Sequence, residues 1–551
     1  TDVWDSNYKM VQHLKDDTTS TTKDSTSNNN HGTKKAANEP IEADGRIGKA
    51  QSFDGSNDYI NCGNGASLNL TDAISVEAWV NPSANGWKYK KPITLSPTTS
   101  QENYQVKIEL NTSNFDYSKA KANGEDLRFY QADGTPLDYW IEKWNASGTS
   151  IIWVEVATSG TDIIYMYYGN PSAGSASDVT NTFIRVIDGA QPIKGSWHLD
   201  EGSGTTAYDS SGNGNNGTLQ NGPAWVDGKF KKALRFDGTN DYVTIPDSPN
   251  LRLGKNITIE TWIYPSANVN NWVRLVGKGS VVYRNYGLWR EVDGDILWQI
   301  YSSGGNCDCW NDGGAGDILN VPVGTWAHIV GTYDGTNMKI YRDGVLVKTC
   351  AYSQTPYTSS DPATIGYAGY NTYFNGTIDE VHIYNRALTA EDISDLYNYY
   401  GYTTTNYPGR VLVRKYASSE PTATIENETA AGISKAGVYG IGVNTSTAFA
   451  SINNQMISDS TSSGWNHVML TYNKNKIKLY INGAQAAIGD YSTAISTNTN
   501  DLLIGDLIAF NGLIDEVRIS NTARSPEWIS TEYANQNDPA SFYTVGQEEN
   551  Y

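Results

Sequence analysis

Two short stretches repeat one set of hard oxygen ligands. Residues 53–59 read FDGSNDY and residues 236–242 read FDGTNDY. Asp54, Asn57 and Asp58 crowd one glycine turn, and Asp237, Asn240 and Asp241 the other. Such oxygens in a tight turn suit Ca²⁺. A second oxygen-rich loop starts at Asp24 (DSTSNNN) and at Asp209 (DSSGNGNNG). Asp515 and Asp379, in LIDEV and TIDEV, could complete a site across a sandwich. The same residues also suit Asx turns, in which Asp and Asn hydrogen-bond their own backbone.

A sugar site would need different chemistry. Trp79 and Trp262 follow Glu77 and Glu260 by two positions, so each pair shares a strand face. An exposed indole stacks on a pyranose while a nearby carboxylate accepts its hydroxyls. The competing reading places both tryptophans in a core. Of the cysteines, Cys307 or Cys309 could bridge to Cys350, and Cys62 has no evident partner.

These residues sit on a chain made for strands. Among 551 residues there are 37 Tyr, 16 Trp and 52 Gly, and only 18% are charged. Tyr, Trp, Thr, Val and Ile favour the pleated surface; Gly, Asn, Asp and Ser supply turns. A formal net charge of −20 argues against nucleic acid and anionic lipid as partners. No apolar run reaches the roughly 20 residues of a membrane-spanning helix, so no membrane insertion is expected. The chain starts at Thr1 without an initiator Met, as expected of a processed or excised form.

The order of the motifs is unusual. An HL, an Asp-Ser turn, FDG, NDY, an alternating strand and Pro-Ser occur in residues 1–84 and again from 193. Downstream, GTWAHIVGTYDGTNMKIYRDGVLV matches SGWNHVMLTYNKNKIKLYINGAQA, and NGTIDEVHIYNRAL matches NGLIDEVRISNTAR. Residues 193–400 therefore hold a complete repeat. Residues 1–84 and 405–538 are the two halves of another, interrupted after Pro82-Ser83 at an exposed loop tip. Residues 86–190 form a smaller inserted β-sandwich, and 539–551 a tail. Short helices are expected at TAEDISDLYNYY and SPEWISTEYANQ, each with a Thr or Ser N-cap and an early acid. The fold class is all-β: antiparallel sandwiches, one split by insertion of two others.

The FDGxNDY, TWxHIxxTYDG, YxDGxL and IDEVxIYNRAL patterns resemble laminin-G-like domains of the concanavalin A-like type. Residues 86–190 resemble an uncharacterised domain found beside them in archaeal and bacterial surface proteins. The resemblance implies jelly-roll sandwiches and raises the case for Ca²⁺. It also admits glycoside hydrolysis, which needs two facing carboxylates. The E-x-D-x-x-E motif of such hydrolases is missing: Glu42 and Asp44 lack a third acid, and the Asp-Glu of IDEV falls on opposite faces of a regular strand. The histidines sit at matching repeat positions, His13 with His198 and His328 with His467, which reads as packing. The expected function is a non-enzymatic protein of the cell surface, acting in adhesion or in a filament or layer. Its expected partners are copies of itself, other surface proteins or glycans. A Ca²⁺-dependent lectin-like module is the alternative, and a glycoside hydrolase the weaker one.

Overall fold

A computed structural model describes residues 4–539 except 38, 55–57, 84–86, 88, 133, 190–191, 269–270, 281–282, 311–318, 370, 427–431, 444–446 and 506–509. The chain divides into two compact units. One comprises residues 1–99, 107–177 and 421–551; the other comprises 100–106 and 178–420. Nearly all regular structure is antiparallel strand, as the composition implies. Among the described residues no helix is long and apolar enough to cross a membrane.

In the second unit two eight-stranded sheets face each other. The central strands of one are Ile257–Pro265, Ala327–Tyr333 and Asn375–Tyr384, with Ile193–Trp197 added beside the last. The other contains Val273–Gly279, Arg284–Arg290, Ile296–Ser302 and Gly305–Cys309. Period-two patterning puts Ile257, Ile259 and Ile263 against Leu288, Trp298 and Ile300 in one apolar core. A disulfide joins Cys309, on an edge of one sheet, to Cys350, on an edge of the other; Cys62 and Cys307 are free thiols.

The back of the first of these sheets is covered. Helix Ala390–Asn398 starts at Thr389 in a capping box with Asp392. Its Ile393 and Leu396 pack on Val330, Tyr341 and Tyr384 of the sheet and on Val411 and Val413. The strand Val411–Arg414 pairs with Arg185–Ile187 and Tyr400–Tyr402. By their contacts, residues up to 420 group with the second unit, where this three-stranded sheet holds them.

In the first unit the strands of residues 8–82 interleave with those of 432–520. Tyr8–Thr18 pairs with Asn511–Ser520, and Ile74–Pro82 lies between Asn466–Tyr472 and Asn511–Ser520. Val76, Ala78 and Val80 meet Ile441, Leu470 and Ile514 in its core. Helix Pro526–Asn537, capped by Ser525, buries Ile529 against Met469 and Tyr480. The same unit carries a small sheet in which Ile163–Tyr168 and Thr422–Ile425 flank Tyr89–Ser96.

Candidate functional site

The acidic loops are closed by their own backbone. Asp237 Oδ1 accepts from the N–H groups of Thr239 and Asn240, and Asp241 Oδ2 accepts from Asp237 N at 3.0 Å. Asp58 Oδ2 accepts from Asp54 N in the matching turn. Asn57 lies outside the described residues. Asp24 accepts from the N–H groups of Val11, Thr26 and Asn30. Asp209 does the same for Ser196, Ser211 and Asn215. These are the Asx-turn uses of the residues, and each latches a strand to its loop.

Asp379 and Asp515 do not join those loops. Asp379 Oδ2 accepts from Lys229 N at 2.8 Å and Phe230 N at 3.0 Å. Asp515 Oδ2 accepts from Ile47 N at 2.7 Å. Each caps the turn of a neighbouring hairpin. Burial pushes the Asp515 carboxyl up to about 7, against the pull of the Ile47 N–H.

Trp79 and Trp262 are 1% and 2% exposed, which corrects the expectation of sugar-stacking faces. Trp262 stacks on Tyr397 of the covering helix, and Trp79 on Tyr533 of its counterpart. Lys229 and Arg46 close the remaining side as cation–π partners. Glu77 and Glu260 are equally buried. Glu260 accepts from Tyr384 Oη at 2.7 Å and lies 3.1 Å from His328 Nε2. The helices that cover these residues are visible in the sequence, but their docking site is not.

The IDEV strands contain a second correction. Ile378 and Val381 both point into the core although three residues apart. The ladder shifts between Glu260 and Trp262, and Glu380 has φ +48°. A bulge therefore turns Asp379 and Glu380 to the same outer face. Ile514, Val517 and Glu516 (φ +52°) repeat the arrangement.

On that outer face Glu380 Oε2 lies 2.7 Å from His198 Nδ1 and 3.1 Å from His382 Nε2. His382 Nδ1 is 2.9 Å from Ser196 Oγ, and His198 Nε2 is 2.8 Å from Thr403 Oγ1. The two hydroxyls are 2.9 Å apart. Burial raises the Glu380 carboxyl, but His198 and His382 together hold it below the usual carboxylate range. In the first unit His13 contacts Glu516 at 2.7 Å, and Arg518 replaces the second histidine, bridging Glu516, Glu77 and Glu532.

The open aromatic surface of the second unit lies on the other sheet. Tyr283, Tyr301 and Tyr357 form a trio with ring centroids 5.7–6.0 Å apart. Tyr283 is 51% and Tyr357 44% exposed. Gln299 shares the outward face with Tyr301, since Trp298 and Ile300 point into the core. It links Arg284 Nη1 at 2.8 Å to Asp308 Oδ1 at 2.6 Å.

The model described as the concanavalin A-like lectin/glucanases superfamily, of laminin-G type, matches residues 237–394 and 403–530, over half the chain. The chain belongs to the concanavalin A-like lectin/glucanases superfamily. A domain of unknown function (DUF2341) matches residues 123–200. The first agrees with the family that the repeats resemble, and the second with the uncharacterised domain that residues 86–190 resemble. No curated protein matches.

Solved structures similar to this superfamily member include domain 4 of AbnA, an extracellular arabinanase of Geobacillus stearothermophilus, in complex with arabinotriose. It is 22% identical over 37% of this chain and 98% of that one, with a TM-score of 0.31. The binding domain of Paraclostridial Mosquitocidal Protein 1 is 16% identical, over 65% and 98%, at 0.33. The botulinum neurotoxin serotype D ligand-binding domain, in complex with N-acetylneuraminic acid, is 12% identical, over 61% and 97%, at 0.31. In this concanavalin A-like chain, sequence reading missed the tyrosine trio, because its members come from one strand and two separate loops. The tyrosines of VVYRNY, QIYSS and TPYTS were the available signal.

Proposed function

We propose that this chain is a non-enzymatic, extracellular adhesion protein that holds glycans on the outer face of its second unit. The tyrosine trio carries the reading. Two half-exposed rings beside a third offer apolar faces to a sugar ring, and the partly exposed Arg284 and the exposed Asp308, held in place by the buried Gln299, offer a planar donor and an acceptor. Membership of a superfamily that includes lectins supports it. The buried state of Glu77, Glu260, Glu380 and Glu516 supports the non-enzymatic part: these strand carboxylates are taken up by neighbouring His and Arg side chains rather than flanking an open groove.

The test is a glycan array probed with the whole chain, followed by titration of the best ligand. Saturable binding should weaken at least about tenfold in Tyr283→Ala/Tyr357→Ala, the loss of about 1.4 kcal/mol. Binding unchanged in that variant removes the trio from the site. Steady release of reducing ends from any polysaccharide overturns the non-enzymatic reading.

A further inference from the structure

The His198–Glu380–His382 network is short of protons. Three contacts link His198 Nε2, Thr403 Oγ1, Ser196 Oγ and His382 Nδ1 in a chain, at 2.8, 2.9 and 2.9 Å. The hydroxyls supply two protons, and three hydrogen bonds need three. At least one ring must therefore donate to its hydroxyl. A neutral ring doing so turns a lone pair toward Glu380 Oε2, a repulsive contact at 2.7 or 3.1 Å. Either a second proton on that ring or a metal ion between ring and carboxylate removes the conflict.

The first unit shows how the same fold meets this need. His13 and Glu516 are kept, and Arg518 supplies a permanent charge. In the second unit that position is His382, a residue able to coordinate. Glu380 and His382 have side chains 3% and 1% exposed, and His198 13%. Glu380 Oε1 is buried without a hydrogen-bond partner. The candidate ligand atoms lie within 4.8 Å of one another.

We propose that His198 Nδ1, His382 Nε2 and Glu380 bind one divalent transition-metal ion, with Zn²⁺ the natural occupant. Two imidazoles and a carboxylate form a borderline-soft set that favours Zn²⁺ over Ca²⁺ or Mg²⁺. Thr403 and Ser196 play the orienting role that outer hydroxyls and carboxylates have around metal-bound histidines. Tyr400 Oη, 3.2 Å from His198 Nδ1, stands near a fourth position. The ion would staple the end of Ile193–Trp197 to the Glu380 bulge, with Tyr400–Tyr402 beside them.

The experiment uses the full, untagged chain in a Cys307→Ser background, so that the half-buried free thiol takes no metal. After chelator treatment, Zn²⁺ and Co²⁺ are titrated separately. The expected result is uptake of about one equivalent, visible absorption from Co²⁺ with imidazole and carboxylate ligands, and a higher melting temperature with Zn²⁺. His382→Arg, which installs the first unit's residue, should fold and lose the uptake; His198→Gln should weaken it at least about 100-fold. If His382→Arg does not fold, the parent and His198→Gln decide the matter. No uptake by the parent, with nitrogen NMR showing His382 doubly protonated, overturns the proposal. So does uptake that persists unchanged in His198→Gln.

Discussion

Arg518 stands opposite Glu77 in its ladder, as His382 stands opposite Glu260 in the other unit. One site has a fixed positive charge and the other an imidazole at the same register. Arg518 has a side chain only 7% exposed and serves Glu77, Glu516 and Glu532 together. Arg518→Ala leaves those acids facing each other in a poorly hydrated layer. Breaking a buried pair in this way typically costs about 3–5 kcal/mol. Denaturant titration of the variant should show a loss of that order, and a loss below about 1 kcal/mol would refute the assignment.

Gly45 and Gly228 are set by close approach. A Cβ on Gly45 would lie 2.5 Å from Asp515 Oδ2, and one on Gly228 2.5 Å from Asp379 Oδ2. The carboxylates cannot retreat without abandoning their backbone donors. Each Gly→Ala change should cost about 1–3 kcal/mol. Gly254, with open space around it, provides the control and should tolerate Ala. Equal melting temperatures for all three variants would contradict the close packing.

Asp24 and Asp209 each hold three backbone N–H groups while almost wholly buried. Alanine at either position strands those donors, at about 1–3 kcal/mol. Hydrogen exchange should localise the effect. The amides of Val11 and Asn30 should lose protection in Asp24→Ala, and those of Ser196 and Asn215 in Asp209→Ala. Protection retained at these amides would rule out the latch.

Asp515 gives a pH signature. Its carboxyl ionises near 3.8 when unfolded and, because burial disfavours the charged form, near about 7 when folded. Its contribution is complete below pH 3.8 and is lost as pH rises through about 7. Asp515→Asn stays neutral and its carbonyl can still accept from Ile47 N. The variant should therefore gain melting temperature relative to the parent from pH 4 to 7 and hold that gain above. Parallel curves would show that the carboxyl is not displaced.

The strands, both helix caps and the paired repeats are legible because they rest on local periodicity and turn chemistry. ITIETWIYP alternates, and Thr389 and Ser525 precede their helices. The site is harder to read. A single left-handed residue, Glu380, flips the parity of its strand, and nothing in TIDEVHI signals it. Trp79 and Trp262 read as surface or core until the helices are seen to dock on them. His198 and His382 meet only because Ser196 and His382 are ladder partners across a long sequence gap.

The interleaving of Ile74–Pro82 with Asn466–Tyr472 also has a temporal meaning. On a ribosome the earlier strand emerges about 390 residues ahead of its partner. At roughly 5–20 residues per second it waits about 20–80 s, with Val76 and Val80 exposed. Residues 193–400, whose sheet partners lie within the same stretch, can fold in that interval. The nascent chain thus carries an adhesive, unpaired strand throughout the synthesis of residues 83–465, and a holding chaperone would find its target at Ile74–Pro82.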